Sequence, residues 1–331
     1  MRPFKYTNAK DVPSALKLAA GNPNARFLAG GTNLLDLMKE DVERPDELID
    51  ITRLGLTQIK ATGSGGISIG GLGRNTDAAN HPLVRQHYPL LSQAILAGAS
   101  GQIRNMATNG GNLLQRTRCP YFYDVAMPCN KREPGSGCGA MEGINRMHAI
   151  FGWSEKCIAV FPSDMAVALA ALDAVVKITN ASGEERVVDF ADFHRLPGDM
   201  PEKDTNLSHG DLITSIEIPK NNLADHSYYL KVRDRASYAF ALVSVAAAFE
   251  MKGNLISKVR IAMGGVAHKP WRAMKAEQML IGKEPTEANF KLAANAEMAD
   301  AKPLEHNKFK VELGSRSIVR ALQMALNGGK S

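Results

Sequence analysis

Cysteine is scarce in this chain of 331 residues. There are four, Cys119, Cys129, Cys138 and Cys157, and none outside that window. Their spacing contains no Cys-x-x-Cys pair, the tight knuckle that structural zinc sites usually use. No run of eighteen apolar residues occurs, which excludes a membrane-spanning helix. The opening stretch MRPFKYTNAKDVPSALKLAAG has no apolar h-region and no twin arginine, so the expectation is a chain made in the cytoplasm with no export signal of its own. The GxGxxG fingerprint of a Rossmann nucleotide site is missing, as are internal repeats and low-complexity blocks. The net charge of +6 is scattered, with no recognition helix, RNP-like aromatic motif or basic tail. That pattern argues against nucleic acid as a partner and for a solvated basic surface, or a patch that docks an acidic protein subunit.

What is present is ordinary globular material: 44% hydrophobic and 22% charged residues, at a length suited to two or three domains. Residues 11–22 predict a helix, with Asp11 as N-cap and Gly21 as a stop. ARFLAGGTNLLDLMKE predicts strand, glycine turn and helix; PDELIDIT and ISIGG predict strands; HPLVRQHYPLLSQAILAGA predicts a helix. DMAVALAALDAVVKITN predicts an apolar helix running into a strand, and ASGEERVVDF the turn and second strand of a hairpin. GDLITSIEIPK (210–220) predicts a cleanly alternating strand, and KNNLADHS after it a boundary. A second unit follows: SYAFALVSVAAAFEMK, KVRIAMGGVA, a helix in WRAMKAEQMLIGK capped by Gly282, and a tail helix over 316–330 with an apolar stripe at Ile318, Leu322 and Leu326. Strands and helices mix without regular βαβ alternation, so the fold class is α+β.

Two glycine turns carry chemistry. In LAGGTNLL (28–35), Gly30 and Gly31 can take positive φ and leave their amides uncovered, while Thr32 and Asn33 add short polar groups at a helix start. Backbone amides and a helix dipole together favour an anion such as a diphosphate. MATNGGNLL (106–114) repeats the pattern, and two such nests suit a dinucleotide gripped from both sides. GGLGRNT (70–76) fails the Rossmann pattern and is expected to be a strand end. The cysteines leave three chemistries open: a zinc site, disulfides, or a [4Fe–4S] cluster wrapped by the Pro- and Gly-rich loop 119–139. Arg116, Arg118, Lys131 and Arg132 could offset the charge of a thiolate-bound cluster.

FLAGGTNLLDLMK, ATNGGNLL, GDLITSIEIP and GGVAHKPWRAMKAEQMLIGK, in that order, resemble the FAD-binding medium subunits of the molybdenum hydroxylases, the relatives of xanthine dehydrogenase, carbon monoxide dehydrogenase and aldehyde oxidoreductase. Most members run directly from the GGNL turn to an Asp-bearing helix start. Here 116–160 intervenes, and a cysteine-bearing insertion of this kind resembles that of 4-hydroxybenzoyl-CoA reductase β subunits and, more closely, of the flavoprotein subunits of periplasmic aldehyde oxidoreductases.

The resemblance implies a two-part FAD domain of the vanillyl-alcohol-oxidase (PCMH) type over 1–221, with subdomains of about 1–55 and 56–221 and the insertion at 116–160. A C-terminal α+β domain of the carbon monoxide dehydrogenase flavoprotein type would fill 222–331. By the same resemblance, Leu28, Ala29, Gly30, Gly31, Thr32, Asn33, Leu34 and Leu35 form the diphosphate loop of FAD. Thr108, Gly110, Gly111 and Asn112 form the facing wall. Asp164, Ile213 (an apolar backbone contact) and Lys231 (near the flavin) complete the set. Cys119, Cys129, Cys138 and Cys157 would hold a [4Fe–4S] cluster, at the protein edge and off the shortest path from [2Fe–2S] to FAD. No catalytic residue is expected; His148, His194 and His268 are read as surface or core histidines. The implied partners are a large molybdenum-cofactor subunit that oxidises an aldehyde, a small [2Fe–2S] subunit in the same heterotrimer, and an external electron acceptor. The implied location is the periplasm, by export of the folded complex on a partner's signal, with the cytoplasm as the alternative. Two rival readings are a stand-alone flavoprotein oxidoreductase with its own substrate pocket and a nucleotide-binding scaffold with structural zinc.

Overall fold

The computed structural model describes residues 1–328, so the last two residues of the predicted tail helix, Gly329 and Lys330, lie outside it. Three sheets organise the chain. β1 (Lys5–Asn8), β2 (Ala25–Leu28) and β3 (Glu47–Asp50) form a parallel sheet in the order β1-β3-β2. The helix Val12–Gly21 makes the first crossover; Asp11 caps it in a reciprocal capping box with Ser14, and it runs through Gly21 to a cap at Asn22. β4 (Ile59–Ala61), β5 (Ile67–Gly70), β6 (Val175–Thr179), β7 (Glu185–Asp189) and β8 (Leu212–Ile218) form an antiparallel sheet, β4-β5-β8-β6-β7. β9 (Ser227–Val232), β10 (Val243–Lys252), β11 (Leu255–Gly264) and β12 (Trp271–Arg272) form the third, β12-β11-β10-β9, backed by the helices Met274–Leu280, Glu287–Met298 and Phe309–Leu326.

The predicted alternation of β8 fails at one place. Ser215 faces Lys177 and Ile213 faces Ile178, so Thr214 is an extra residue on β8. A bulge of this kind bends the strand and re-aims its neighbours. Here it leaves the Thr214 carbonyl accepting from the Gly71 amide (2.9 Å), and Ile213 reaches the cavity described below.

The helix Asp164–Ala171 is apolar all round, the pattern of a helix with no solvent face. All its residues but Ala170 are buried. β10 explains why. Its Val243, Val245, Ala247 and Phe249 point into the core under the C-terminal helices. Its Ala246 and Ala248 point the other way, into the core that contains Met165 to Leu169. Small side chains on that face let the helix approach the sheet closely. The insertion is anchored rather than hung on the surface: Val266 accepts from the amides of Ile150 and Phe151, Ile150 accepts from Lys302, and Phe151 stacks on Trp271 at 4.7 Å.

Candidate cofactor cleft and cysteine cage

β2 ends at Leu28, and the chain turns through Ala29–Asn33 into the helix Leu34–Lys39. Gly31 sits at φ +71°, where a β-carbon would press on Leu35 and Leu28. Gly30 lies directly against the backbone of Met106 and Ala107, so the first glycine turn packs edge to edge with the second. Among the described residues, the amides of Gly31, Thr32 and Asn33 donate to no carbonyl in this turn. Asn33 accepts from the Arg116 amide through Oδ1 (2.8 Å), while its buried Nδ2 has no partner. The first turn is thus an open donor cradle.

The second turn differs from its expected twin. Gly110 donates to Gly71 (2.7 Å) and Gly111 to the Thr108 hydroxyl that caps the helix Asn109–Leu113 (3.2 Å). Its amides are spent on internal bonds, so it supplies a rigid wall rather than a second amide nest. Asn75, Asn109, Asn112 and Ser163 tie that wall together through side-chain bonds of 2.5–3.0 Å. Of GGLGRNT, Gly70 ends β5 and the rest turns into the helix Asn75–Asn80; Gly71 and Leu72 also line the cavity.

Between the turns runs a cleft of about 1300 Å³. Of the fifteen residues expected to hold a cofactor, fourteen line it. The exception, Leu35, lies under Gly31 as its packing partner. At the far end, Asp164 opens its helix with Ser163 as N-cap. Its Oδ2 pairs with Lys231 Nζ at 2.8 Å and its Oδ1 accepts from Tyr229 OH at 2.6 Å. Lys231 also donates to the Ala97 carbonyl (3.1 Å) and is 4% exposed in its side chain, so it is no solvated lysine although β9 is an edge strand. Burial, reinforced by the Asp164 charge, raises the Tyr229 hydroxyl well above its ordinary pKa, which keeps it a donor. Sequence reasoning missed Tyr229. The available signal was the spacing in SYYLKV, because residues two apart on a strand share a face. Arg104 was also missed: it lines the cleft, and its buried Nε is unpartnered.

The four cysteines line one small void and all are free thiols. Cys129 and Cys138 lie opposite each other as a one-pair antiparallel bridge, with Gly135 and Gly137 at positive φ and both amides held by Asn130 Oδ1. Cys119 starts the one-turn helix Pro120–Tyr123. Burial pushes the thiol of Cys119 up to about 12 and that of Cys157 up to about 11, so these two stay protonated at neutral pH and become thiolates only when a cationic centre takes the proton's place. Among the described residues no three His, Cys, Asp or Glu side chains gather as ligands of one metal ion, which for zinc would need sulfurs ~3.8 Å apart at bond lengths of ~2.3 Å.

The basic residues near the cage are not free to balance it, contrary to expectation. Arg116 pairs with Glu43 (2.6 Å) and Asp204 (2.9 Å), Arg118 with Asp36 (3.1 Å), and buried Lys131 with Asp204 (2.5 Å). Arg132 donates to the carbonyls of Tyr121 and Phe122. These contacts fasten the insertion to the rest of the chain. Burial opposes charge on Asp204, but Lys131, Arg116 and His268 outweigh it and hold the carboxyl far below its usual range. A depressed carboxyl contributes its full stabilisation above its unfolded pKa, about 3.9, and loses it as pH falls through the folded value. Urea midpoints measured below pH 4 should therefore fall more steeply for the wild type than for Asp204→Asn.

His148, His194 and His268 are core histidines, each held down to about 4, chiefly by burial. His194 bonds to the Leu113 carbonyl and His268 to the Arg195 carbonyl. His148 does more than pack: its Nε2 is 3.1 Å from Cys119 Sγ. A cavity of about 200 Å³ has Cys119 and His148 in its wall and shares Arg118, Met147, Asp164 and Phe240 with the large cleft.

Residues 2–221 match the family of FAD binding domains in molybdopterin dehydrogenase, and residues 228–325 match the carbon monoxide dehydrogenase flavoprotein C-terminal domain. The chain is 50% identical over 325 residues to the aldehyde oxidoreductase FAD-binding subunit of Escherichia coli (strain K12), covering 98% of this chain and 99% of that one. It is 34% identical over 281 residues to the glyceraldehyde dehydrogenase medium chain of Sulfolobus acidocaldarius, covering 85% and 82%. Among solved structures, carbon monoxide dehydrogenase from Hydrogenophaga pseudoflava superposes with a TM-score of 0.77 at 26% identity, over 99% of both chains. The open amide cradle, the buried Asp164–Lys231 pair and a match that runs the length of the chain lead to one conclusion: this protein belongs to the FAD-binding medium subunits of the molybdenum hydroxylases.

Proposed function

We propose that this chain is the FAD- and [4Fe–4S]-binding electron-transfer subunit of a molybdenum-dependent aldehyde oxidoreductase, working between a small [2Fe–2S] subunit and an external acceptor. A large molybdenum-cofactor subunit would oxidise the aldehyde, and the assembly would be a heterotrimer exported to the periplasm. The observation that carries the reading is the pairing of an open donor cradle with a cysteine cage beside it. The 50% identity to an aldehyde oxidoreductase FAD-binding subunit supports the substrate class.

The residues fit FAD. Gly31, Thr32 and Asn33 offer free amides and Asn33 Nδ2 is a buried donor without an acceptor, which is what a diphosphate requires. Gly30 lets the two turns close without a side chain between them. Asp164 and Tyr229 fix Lys231 at the flavin end, and Ile213, re-aimed by the bulge, gives an apolar wall. FAD, once bound, supplies the ability to take electrons singly and release them as a pair. The donor set of the cage is that of a cluster site: four free thiols lining one small void. A cluster there would supply a one-electron centre whose potential follows charge, hydrogen bonding and burial.

The full chain purified without oxygen should show flavin absorption bands together with a broad iron–sulfur shoulder, about four irons per chain and negligible zinc. Yellow protein without iron would remove the cluster, colourless protein with zinc would favour the scaffold reading, and aldehyde turnover by the isolated chain would favour a stand-alone enzyme.

A further inference from the structure

Resting on the cluster reading, we propose that Lys310 and His148 are positioning residues that set the cluster's potential: His148 donates a hydrogen bond to Cys119 Sγ, and Lys310 supplies the fixed positive charge behind it.

His148 is 3% exposed, and its two ring nitrogens are unequal. Nε2 meets Cys119 Sγ at 3.1 Å, while Nδ1 is buried without a partner. In a neutral ring one nitrogen carries the proton and the other a lone pair. Burying an unmet lone pair is better tolerated than burying an unmet N–H, so the proton belongs on Nε2, directed at sulfur. The ring has little freedom to leave. The His148 carbonyl accepts from Lys310 Nζ (3.0 Å) and Asn307 Nδ2 (3.2 Å), and the neighbouring Ala149 carbonyl accepts from the same Asn307.

Lys310 is 0% exposed, on the helix Phe309–Leu326. Its Nζ donates to the carbonyls of His148 and Gly265 (2.7 Å) and forms no ion pair with a carboxylate among the described residues. The one neighbouring charge that acts on it is another cation, Arg146; burial and that cation push the ammonium down to about 7, and the negative charge of a thiolate-bound cluster would hold it fully protonated. A buried cation with no counter-ion is costly and rarely kept without a use. Around the cage Arg116, Arg118, Lys131 and Arg132 are already spent on carboxylates and carbonyls and Lys156 is exposed to solvent, which leaves Lys310 as a buried cation without a counter-ion. A thiolate-bound cluster is an anion and becomes more negative on reduction. A fixed cation and an N–H···S bond both favour the reduced form.

The test is a redox titration of the iron–sulfur EPR signal in the full chain, purified without oxygen, with iron counted in every sample. Lys310→Met should move the reduction equilibrium at least tenfold toward the oxidised form, ~59 mV for a one-electron couple. The flavin potential should stay in place. His148→Phe should shift the cluster the same way, and His148→Gln, which keeps an N–H, should recover most of that shift. Should Lys310→Met fail to fold, the Phe and Gln pair decides the matter alone. Full iron content with wild-type potentials in the folded variants would overturn the proposal and leave the cluster reading standing. Wild-type chain without iron would overturn both.

Discussion

Asp164→Ala is expected to cost about 3–5 kcal/mol of folding stability, the usual penalty for removing one partner of a buried ion pair. The side chains of Lys231 and Asp164 are 4% and 8% exposed, so water cannot take over from the lost carboxylate. Lys231 would keep only the Ala97 carbonyl, and the Tyr229 hydroxyl would lose its acceptor. The midpoint of urea unfolding should drop at unchanged slope, the sign of a stability change rather than an altered unfolded state. Asp164→Leu combined with Lys231→Met should regain most of the loss, because two apolar side chains leave no charge stranded. If the single alanine variant unfolds like the wild type, the pair is not buried as described. Tyr229→Phe should cost less, about 1.5–3 kcal/mol for one hydrogen bond to a charged group.

Gly30→Ala should have the second large effect. Its methyl group would overlap the Met106 carbonyl, and both partners are backbone, so neither can swing aside. Overpacking of this kind costs about 1–3 kcal/mol. The functional loss should be larger than the stability loss, since the two turns can relieve the clash only by separating, and the cradle then loses its facing wall. Flavin retained through gel filtration should fall at least tenfold. Gly21→Ala is the control: no atom lies within 4 Å of its added methyl, so flavin content should not change and stability should rise by about 0.5–1 kcal/mol. Equal flavin content in Gly30→Ala and wild type would remove the first turn from the binding site.

The helices and strands legible in the sequence were those whose own side chains encode them. Asp11 and Ser14 write a capping box, and ISIG and EERVVD sit where turn residues bracket an apolar or alternating run. The helix Glu287–Met298 was not legible, because its apolar residues make no continuous stripe; what holds it is packing against the helices Met274–Leu280 and Phe309–Leu326 in the C-terminal core, which the segment itself does not announce. The same distinction runs through the site. Gly-Gly turns marked the cleft from the sequence, and eleven of the fourteen expected lining residues lie in those turns; Asp164, Ile213 and Lys231 followed from the family resemblance alone. Which amides are free was not legible, since Gly110 is silenced by Gly71, a residue far off in sequence. The bulge at Thr214 and the spending of Arg116 and Lys131 on Asp204 are likewise products of register and tertiary approach, not of local composition.

The helix Asp164–Ala171 meets side chains of the central part of the chain on one flank and the alanine face of β10 on the other. Neither half of the molecule can shed the other without baring that flank to solvent. The flavin cleft and the C-terminal sheet consequently share one cooperative unfolding unit, and a displacement of β9 or β10 by a docked neighbour is delivered directly to the carboxylate at the cleft floor.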